Sequence, residues 1–345
     1  MFKERYIPYY ALFELTLKCN MRCLHCGSSA GNRRVKELST EEWKGVIKEL
    51  SDMECKLVTL LGGEPFIRRD WFEISKEIKD RGMDLTIISN GLLINERLVS
   101  KLRTLEPYTI AISLDGGTEK THDYIRQVNG SFKQVMKALE LLRSADINTS
   151  VITTLSKMNF KELPKIRELL VGRNIAWQIQ IASIVGRFQK EQMLSKEEFY
   201  SAGLFIATSR EKYSIDELPV TGAHCFGYHS RILPNVNITP WKGCPAGLFT
   251  VGIQSDGGVK GCLSLSDDFI EGNIRKISLH ELWNNPNFAS YNRNFKKHDL
   301  NGDCAKCRFG KSCRGGCLSV STSVTGKPHA DPYCFRIIEK SLFNM

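Results

Sequence analysis

The chain has 345 residues, 42% of them hydrophobic and 25% charged, a composition that excludes a disordered or fibrous protein. Its formal net charge of +10 comes from scattered lysines and arginines without a long basic run, so we predict no nucleic-acid partner. The first residues lack a signal-peptide pattern, and no apolar run reaches the length of a membrane span. We therefore predict a cytoplasmic protein with no membrane partner.

Strand-like and helix-like segments alternate through the first two-thirds of the chain. The predicted strands are 13–17, 56–61, 85–89, 109–114, 149–154 and 177–181, each a short run of apolar or alternating residues. A capping box from Ser39 to Glu42 opens the first helix, and further helices are predicted near 71–82, 96–105, 132–142, 163–170 and 196–213. About six such units predict an α/β fold with a parallel sheet and helices outside it.

Three cysteines follow the first predicted strand, at Cys19, Cys23 and Cys26. In α/β barrels this end of the strands carries the chemistry. Three thiolates can ligate three irons of a cubane cluster, which leaves the fourth iron open to another ligand. The alternative is a structural zinc site with His25 as its fourth ligand. In either case, twelve cysteines in a cytoplasmic protein favour metal ligation over disulfides.

Short polar or glycine-rich motifs follow the next predicted strands. Any one of them alone is more typical of a turn, a strand exit or a surface ion pair. Because they come at the ends of successive strands of one sheet, a single ligand could contact all of them. The residues are Gly62, Gly63, Glu64 and Pro65 after the second strand, Ser89 and Asn90 after the third, Ser113 and Asp115 after the fourth, and Arg126 shortly beyond.

The Cys-x3-Cys-x2-Cys spacing and the strand-end motifs together resemble the radical S-adenosylmethionine (SAM) enzymes. The resemblance implies a partial (β/α)6 TIM-like barrel. It also implies that a 4Fe-4S cluster on Cys19, Cys23 and Cys26 chelates SAM through its open iron. One electron, from a donor such as flavodoxin or ferredoxin, then cleaves SAM to methionine and a 5'-deoxyadenosyl radical. That radical abstracts a hydrogen atom from the substrate.

The same resemblance implies roles for the strand-end motifs. The family motif that binds the amino group of SAM matches Gly62, Gly63, Glu64 and Pro65. Family positions near the ribose and carboxylate of SAM match Ser89, Asn90, Ser113 and Asp115. An arginine that grips the SAM carboxylate matches Arg126, although Gln127 stands where the family usually has glycine.

Periodicity fades after about residue 213, and prolines at Pro219, Pro234 and Pro240 mark a linker. We therefore predict a radical SAM core at 1–213, a linker at 214–241 and a cysteine-rich domain at 242–345. Seven of the cysteines fall in this last domain. By composition alone, these cysteines could ligate either zinc, as in zinc knuckles, or iron-sulfur clusters.

The order and spacing of these seven cysteines resemble the SPASM domain, a C-terminal extension of radical SAM enzymes that modify peptides and proteins. The resemblance implies that a first auxiliary 4Fe-4S cluster is ligated by Cys244, Cys262 and Cys317. It implies that a second one is ligated by Cys304, Cys307, Cys313 and Cys334. The first auxiliary cluster is one ligand short, and Cys225 in the linker is the nearest spare thiol. SAM and three 4Fe-4S clusters are therefore the expected cofactors.

Both resemblances predict an enzyme that abstracts hydrogen from a peptide or protein, as in thioether formation, carbon-carbon cross-linking or epimerisation of ribosomal peptides. Sulfatase maturation ranks low, because Leu263 follows Cys262 where those enzymes keep a catalytic aspartate close by. Modification of a sirohaem-derived tetrapyrrole is the alternative within the same chemistry. A non-enzymatic iron-sulfur or zinc scaffold is the alternative of another class. The first predicted strand begins within about a dozen residues of Met1, so we expect a leader peptide to need a separate binding protein.

Overall fold

One sheet runs through the computed structural model, which describes residues 6–226, 228–233, 236–237 and 241–343. Within these residues its strands are β1 (Tyr10–Thr16), β2 (Leu57–Gly62), β3 (Asp84–Ser89), β4 (Thr109–Ser113), β5 (Thr149–Leu155), β6 (Ala176–Ile181), β7 (Val220–Gly222), β8 (Thr250–Ile253), β9 (Gly258–Lys260) and β10 (Gly272–Asn273). Their order across the sheet is β10-β9-β8-β1-β2-β3-β4-β5-β6-β7. Neighbours from β8 through β7 are parallel, whereas β8, β9 and β10 pair antiparallel. The predicted α/β fold with a parallel sheet is confirmed.

Helices connect the parallel strands, and the first of them pack against one another in chain order. In the described ranges they are α1 (Thr40–Asp52), α2 (Trp71–Asp80), α3 (Glu96–Leu105), α4 (Glu119–Arg126), α5 (Ser131–Ser144), α6 (Leu163–Leu170), α7 (Lys196–Lys212), α8 (Leu279–Asn284), α9 (Ser290–Arg293), α10 (Gly310–Cys313), α11 (Leu318–Thr325) and α12 (Phe335–Phe343). None of these described helices is both long and apolar enough to cross a bilayer.

The capping box at the start of α1 forms as the sequence predicts. Ser39 Oγ accepts a hydrogen bond from the backbone N of Glu42 at 3.2 Å, and Glu42 Oε2 accepts one from the backbone N of Ser39 at 2.7 Å. On the buried face of α1, Trp43 stacks on Phe13 of β1 with ring centroids 4.5 Å apart. This aromatic contact fixes α1 against β1, the strand that leads into the cysteine loop (residues 19–26).

The C-terminal part of the chain extends the sheet alongside β1. β8 runs parallel to β1, with Thr250 opposite Tyr10. Just beyond these paired residues Glu14 is buried, and its Oε1 accepts hydrogen bonds from the N and Oγ of Ser255 at 3.2 and 2.9 Å. Arg34 Nε lies 2.6 Å from the same oxygen and neutralises the carboxylate. The two parts of the chain are therefore joined by a strand pairing and by the hydrogen bonds that Ser255 donates to the Glu14 carboxylate.

The sequence patterns do not predict α4 or the strands β7 to β10. The buried face of α4 consists of His122, Ile125 and Arg126, so this helix lacks the apolar stripe by which helices are recognised. β7 lies inside the stretch predicted as a linker, but three residues are too few to show alternation. Of the linker prolines, Pro219 precedes β7, whereas Pro234 and Pro240 lie outside the described residues.

Candidate functional site

The cysteine loop follows β1 and is held by backbone hydrogen bonds on two sides. Cys19 N donates to Gly31 O at 3.0 Å, and Leu24 N donates to Ile125 O of α4 at 2.9 Å. The thiol of Cys23 is buried and the other two are half-buried. All three therefore lie at the carboxyl edge of the sheet, where the C-terminal ends of the parallel strands meet.

Arg187, a residue that the sequence analysis did not single out, holds the loop from a third side. It lies between β6 and α7, and its backbone N donates to Cys26 O at 3.0 Å. Its side chain donates to Cys23 O at 3.0 Å and to Ala30 O at 2.8 Å. Gly186 before it has φ of 65°, and a Cβ there would lie 2.4 Å from Cys26 O. In the sequence this Gly-Arg pair is indistinguishable from an ordinary turn.

Two glycines, one ending β2 and the other following it, let the chain run against the backbone of residues 16–18. Gly63 N donates to Thr16 O at 2.7 Å, and Glu64 N donates to Lys18 O at 2.9 Å. A Cβ on Gly63 would lie 2.1 Å from Lys18 O, and Gly62 has φ of 132°. Only glycine fits both positions, because one needs an unusual backbone conformation and the other needs close backbone contact.

We expect Gly63→Ala to destabilise the protein by about 1–3 kcal/mol, because the added methyl group meets a backbone carbonyl that no side-chain rotation can move. Gly45→Ala is the matched control. Gly45 is exposed on α1 with open space around its Cβ position, so alanine there should stabilise the protein by about 0.5–1 kcal/mol. Urea unfolding measures both changes. Equal midpoints for the two variants would contradict the close approach at Gly63.

Glu64 is fully buried beneath this turn, and Pro65 next to it is also buried. Glu64 Oε1 accepts hydrogen bonds from Ser89 Oγ at 2.9 Å and Phe66 N at 3.3 Å, and Oε2 accepts one from Asn90 N at 2.8 Å. Burial raises the pKa of Glu64 to about 7, against the opposing effect of these donors. A carboxylate has about four acceptor positions, so one remains for an additional N–H donor.

Asn90 links this carboxylate to the cysteine loop. Its side-chain Nδ2 donates to Asn20 Oδ1 at 2.7 Å and lies 3.8 Å from Cys19 Sγ. The glycine motif, the end of β3 and the first cysteine are thus in direct contact, although they are far apart in the sequence. This is the convergence that the order of the motifs predicted.

A second buried network is centred on Asp115, just after β4. Arg126 Nη2 lies 2.5 Å and His25 Nε2 lies 2.7 Å from its Oδ2, and Thr154 N donates to its Oδ1 at 2.8 Å. Burial raises the pKa of Asp115, but Arg126 and then His25 outweigh burial, so the pKa lies below its ordinary value. Arg126 Nη1 also lies 3.7 Å from Cys23 Sγ. The network therefore reaches the cysteine loop at Cys23 and His25, whereas Asn90 reaches it at Cys19 and Asn20.

Three buried nitrogen atoms in this network have no partner in the described part of the chain: His25 Nδ1, Arg126 Nε, and Nε2 of His122, whose Nδ1 accepts a hydrogen bond from Asp115 N at 3.2 Å. Buried polar atoms are nearly always hydrogen-bonded, so a bound polar group could supply the partner that these atoms lack. Of the neighbouring predicted positions, Ser113 is the half-buried last residue of β4. Gln127 ends α4 with φ of 59°, the left-handed conformation that glycine adopts most easily. The departure from the family glycine thus leaves the backbone turn itself in place.

In the C-terminal part, four thiols form one group, made up of Cys304, Cys307, Cys313 and Cys334. Burial, and next the thiols of Cys334 and Cys313, raise the pKa of Cys304 to about 12. Burial, followed by the charge of Asp331 and then the thiol of Cys307, raises the pKa of Cys334. A bound metal reverses such shifts, because it takes the proton off a coordinating thiol.

Cys244, Cys262, Cys317 and Cys225 form a second group. Cys244 and Cys262 share a small apolar cluster. Burial, followed by the proximity of Cys244 and Cys225, raises the pKa of Cys317 well above its ordinary value. Cys225 lies beside the end of β6, where its Sγ accepts a hydrogen bond from Ile181 N at 3.4 Å. The structure therefore brings the linker cysteine close to Cys317, one of the three thiols that the sequence grouped without it.

Tyr228 and Asp331 fix the backbone of Cys317, and the sequence analysis identified neither. The Tyr228 hydroxyl donates to Asp331 Oδ2 at 2.5 Å, and Cys317 N lies 2.9 Å from the Tyr228 oxygen and 3.2 Å from Asp331 Oδ2. Both side chains are buried, and neither has a sequence spacing that marks it. Among the described residues, no three Cys, His, Asp or Glu side chains converge tightly enough to ligate one isolated metal ion.

Thiols at the carboxyl edge of a parallel sheet, with a second cysteine-rich part, provide two regions in which iron-sulfur clusters could be ligated. The family model of the Radical SAM superfamily matches residues 13–170, and that of the SPASM iron-sulfur cluster-binding domain matches residues 244–308. The chain belongs to the radical SAM superfamily and is a radical SAM enzyme with a SPASM domain. SAM and 4Fe-4S clusters are the cofactors that these domains imply.

Three similar proteins illustrate the relationship. The chain is 30% identical to the AdoMet-dependent heme synthase of Methanosarcina barkeri, over 95% of this chain and 96% of that one. It is 28% identical to the mycofactocin maturase of Mycolicibacterium smegmatis, over 95% and 82% of the two chains. The crystal structure of Streptococcus suis SuiB bound to S-adenosylmethionine superposes with a TM-score of 0.78 at 17% identity, covering 95% of this chain and 77% of that one. This last likeness concerns the fold.

Proposed function

We propose that this radical SAM enzyme binds SAM at the carboxyl edge of β1 to β4 and abstracts a hydrogen atom from a peptide. One observation carries the position of the SAM site. Two buried networks, centred on Glu64 and Asp115, reach the cysteine loop at different residues, and Arg126 Nε in the second has no partner in the described part of the chain.

Each residue has a distinct part in this proposal. Cys19, Cys23 and Cys26 would hold the cluster to which SAM binds, and reduced cluster and SAM together supply the radical that abstracts hydrogen. Glu64 accepts the amino group through its remaining acceptor position, beside Ser89 and Asn90. Arg126 donates to the carboxylate. Asp115 orients Arg126 and keeps it ionised in a buried setting.

The auxiliary clusters are assigned to the two thiol groups of the C-terminal part. We place the first on Cys244, Cys262 and Cys317 with Cys225 as fourth ligand. The second is placed on Cys304, Cys307, Cys313 and Cys334. With the SAM cluster this makes three 4Fe-4S clusters and about twelve irons. Such clusters fit a cytoplasmic setting, where thiols stay reduced.

A peptide substrate is supported by the SPASM domain and by the similarity to a mycofactocin maturase. We further propose that a separate protein presents the leader of that peptide. One observation favours a second candidate, an iron tetrapyrrole, namely the 30% identity with an AdoMet-dependent heme synthase along almost the whole of both chains. Both candidate reactions begin with the same 5'-deoxyadenosyl radical. They differ in the substrate from which that radical abstracts hydrogen.

Anaerobic reconstitution with iron and sulfide, followed by SAM and a chemical reductant, tests the proposal. Formation of 5'-deoxyadenosine is expected, and a preparation that holds only zinc and makes none would refute it. Substrate identity is tested by adding a short peptide encoded beside the gene or, separately, a sirohaem-derived tetrapyrrole. The true substrate, deuterated at the reacting carbon, should transfer deuterium to 5'-deoxyadenosine, and the other compound should not.

Cys225→Ala is expected to lose iron from the first auxiliary cluster, because the removed thiol lies beside Cys317 and would leave one iron without a protein ligand. Iron analysis and electron paramagnetic resonance of the reduced protein measure the loss. An unchanged iron content would instead mean that Cys225 is not a ligand and that one iron of this cluster is open. An open iron acts as a Lewis acid toward a substrate thiol. That outcome would favour thioether formation over carbon-carbon cross-linking or epimerisation.

A further inference from the structure

A groove of about 760 Å³ opens beside the cysteine loop, outside the two buried networks. Its walls are residues from the end of β1, from the segment between the cysteine loop and α1, and from the turn before α2. Four cationic side chains line it, those of Lys18, Arg33, Arg68 and Arg69. This concentration of positive charge is not used by the proposed SAM site.

The two carboxylates that line the groove already have hydrogen-bond or ion-pair partners within the chain. Glu37 accepts hydrogen bonds from Thr16 Oγ1 and from Leu17 N, both at 2.9 Å. Asp70 lies 2.7 Å from Arg68 Nε and accepts a hydrogen bond from Thr40 Oγ1 at 2.6 Å. Asp70 is paired with Arg68, and when both carboxylates are counted against the four cations the lining keeps an excess of two positive charges.

Lys18, Arg33 and Arg69 are exposed at this groove. Their charged groups are thus available to a partner in solution. Lysine and arginine side chains grouped in this way attract an acidic surface and speed its arrival, because the field acts before contact is made. A groove of this kind is suited to an anionic partner rather than to an apolar one.

Two residues that line the groove also adjoin the cysteine loop. Lys18 immediately precedes Cys19, and Gly31, which lines the groove, accepts the hydrogen bond of Cys19 N at 3.0 Å. Gly31 N in turn donates to Leu17 O at 2.9 Å. A protein bound in the groove would therefore contact Lys18 and Gly31, which adjoin the first cysteine through the chain and through a hydrogen bond.

We infer that this groove is the docking surface of an acidic one-electron carrier, a flavin or iron-sulfur protein that reduces the SAM cluster. The inference rests on the proposed function, since that chemistry needs one electron for each SAM cleaved. In the step at the groove, the carrier is oxidised by one electron and the cluster is reduced by one. No bond is made or broken there. Redox encounters of this type use small interfaces, which suits one charged groove.

The test compares two double charge reversals. Arg33→Glu/Arg69→Glu alters the groove, and Arg97→Glu/Lys137→Glu makes the same change in net charge on the exposed surfaces of α3 and α5. The first readout is binding of oxidised flavodoxin to the reconstituted protein by calorimetry at low salt. We expect about a tenfold loss of affinity for the groove variant, a much smaller loss for the control, and a difference that fades as salt is added.

The second readout is 5'-deoxyadenosine formation with two reductants. Reduced flavodoxin should drive the groove variant more slowly than the wild type, while reduced methyl viologen, a small cation, should drive both equally. Equal flavodoxin binding by the two double variants would overturn the inference. So would a groove variant that is slow with both reductants, since the groove would then serve substrate or SAM. Failure of the proposed function itself appears separately, as wild-type protein that is inactive with methyl viologen.

Discussion

Cys23→Ala protein is expected to form no 5'-deoxyadenosine and to hold about eight irons in place of about twelve. Cys23 is the buried thiol of the cysteine loop, and its Sγ lies 3.7 Å from Arg126 Nη1, the group proposed to bind the SAM carboxylate. Removing this thiol would take away a cluster ligand. It would also remove the cysteine that lies beside Arg126. Iron and sulfide analysis, with chromatography of the SAM products, measures the two losses.

Cys55→Ala provides the matched control. Its thiol is also buried, but its Sγ lies 3.6 Å from the backbone oxygens of Tyr9 and Leu57, apart from the three thiol groups. That variant should keep its iron and its SAM cleavage, as expected for a cysteine that only fills space. If Cys23→Ala continued to make 5'-deoxyadenosine, the open iron would have to belong to another group of thiols.

Asp115→Asn is expected to destabilise the protein by about 3–5 kcal/mol, because it leaves the buried guanidinium of Arg126 without its counter-charge. Asparagine keeps the size of the side chain and can still accept from Thr154 N, so the change isolates the charge. SAM binding should weaken as well, since Arg126 would lose the contact that orients it. Urea unfolding and equilibrium dialysis with SAM measure the two effects.

The exposed ion pair between Glu140 and Arg143 gives the control for this charge removal. Glu140→Gln should leave the unfolding midpoint unchanged, because solvent screens that pair. The double variant Asp115→Asn/Arg126→Leu should recover part of the lost stability, since no unpaired charge then remains buried. Recovery of stability without recovery of SAM binding is the expected combination. An Asp115→Asn protein as stable as the wild type would contradict the coupling of the two charges.

Much of the fold could be predicted because strand and helix periods are repeated over long segments. α3 and α6 lie where the sequence places them, and the capping box fixes the start of α1. The convergence at the carboxyl edge followed from topology, since parallel strands bring their C-terminal ends together. Glu64, Asn90 and Cys19 are therefore in contact as their positions after β2, β3 and β1 indicate.

The remaining features depend on contacts that leave no pattern in one sequence. Arg187 acts through hydrogen bonds to backbone oxygens, which any sequence provides. Tyr228 and Asp331 form a buried pair across about a hundred residues, and only the folded chain shows that they meet at Cys317. The strands β7 to β10 are too short for alternation to distinguish them from loops.

The pairing of β1 with β8 also bears on how the chain is made. During translation β1 is synthesised long before β8, because Thr250, the residue that pairs with Tyr10, comes much later in the chain. Until then that side of β1 presents unpaired N–H and C=O groups, the kind of exposed strand edge that recruits other chains. Native pairing across so much sequence is slow and leaves the nascent chain open to aggregation. A shortened chain that stops before β8 would keep this edge permanently, so expression of the N-terminal part alone should yield aggregates rather than a working core.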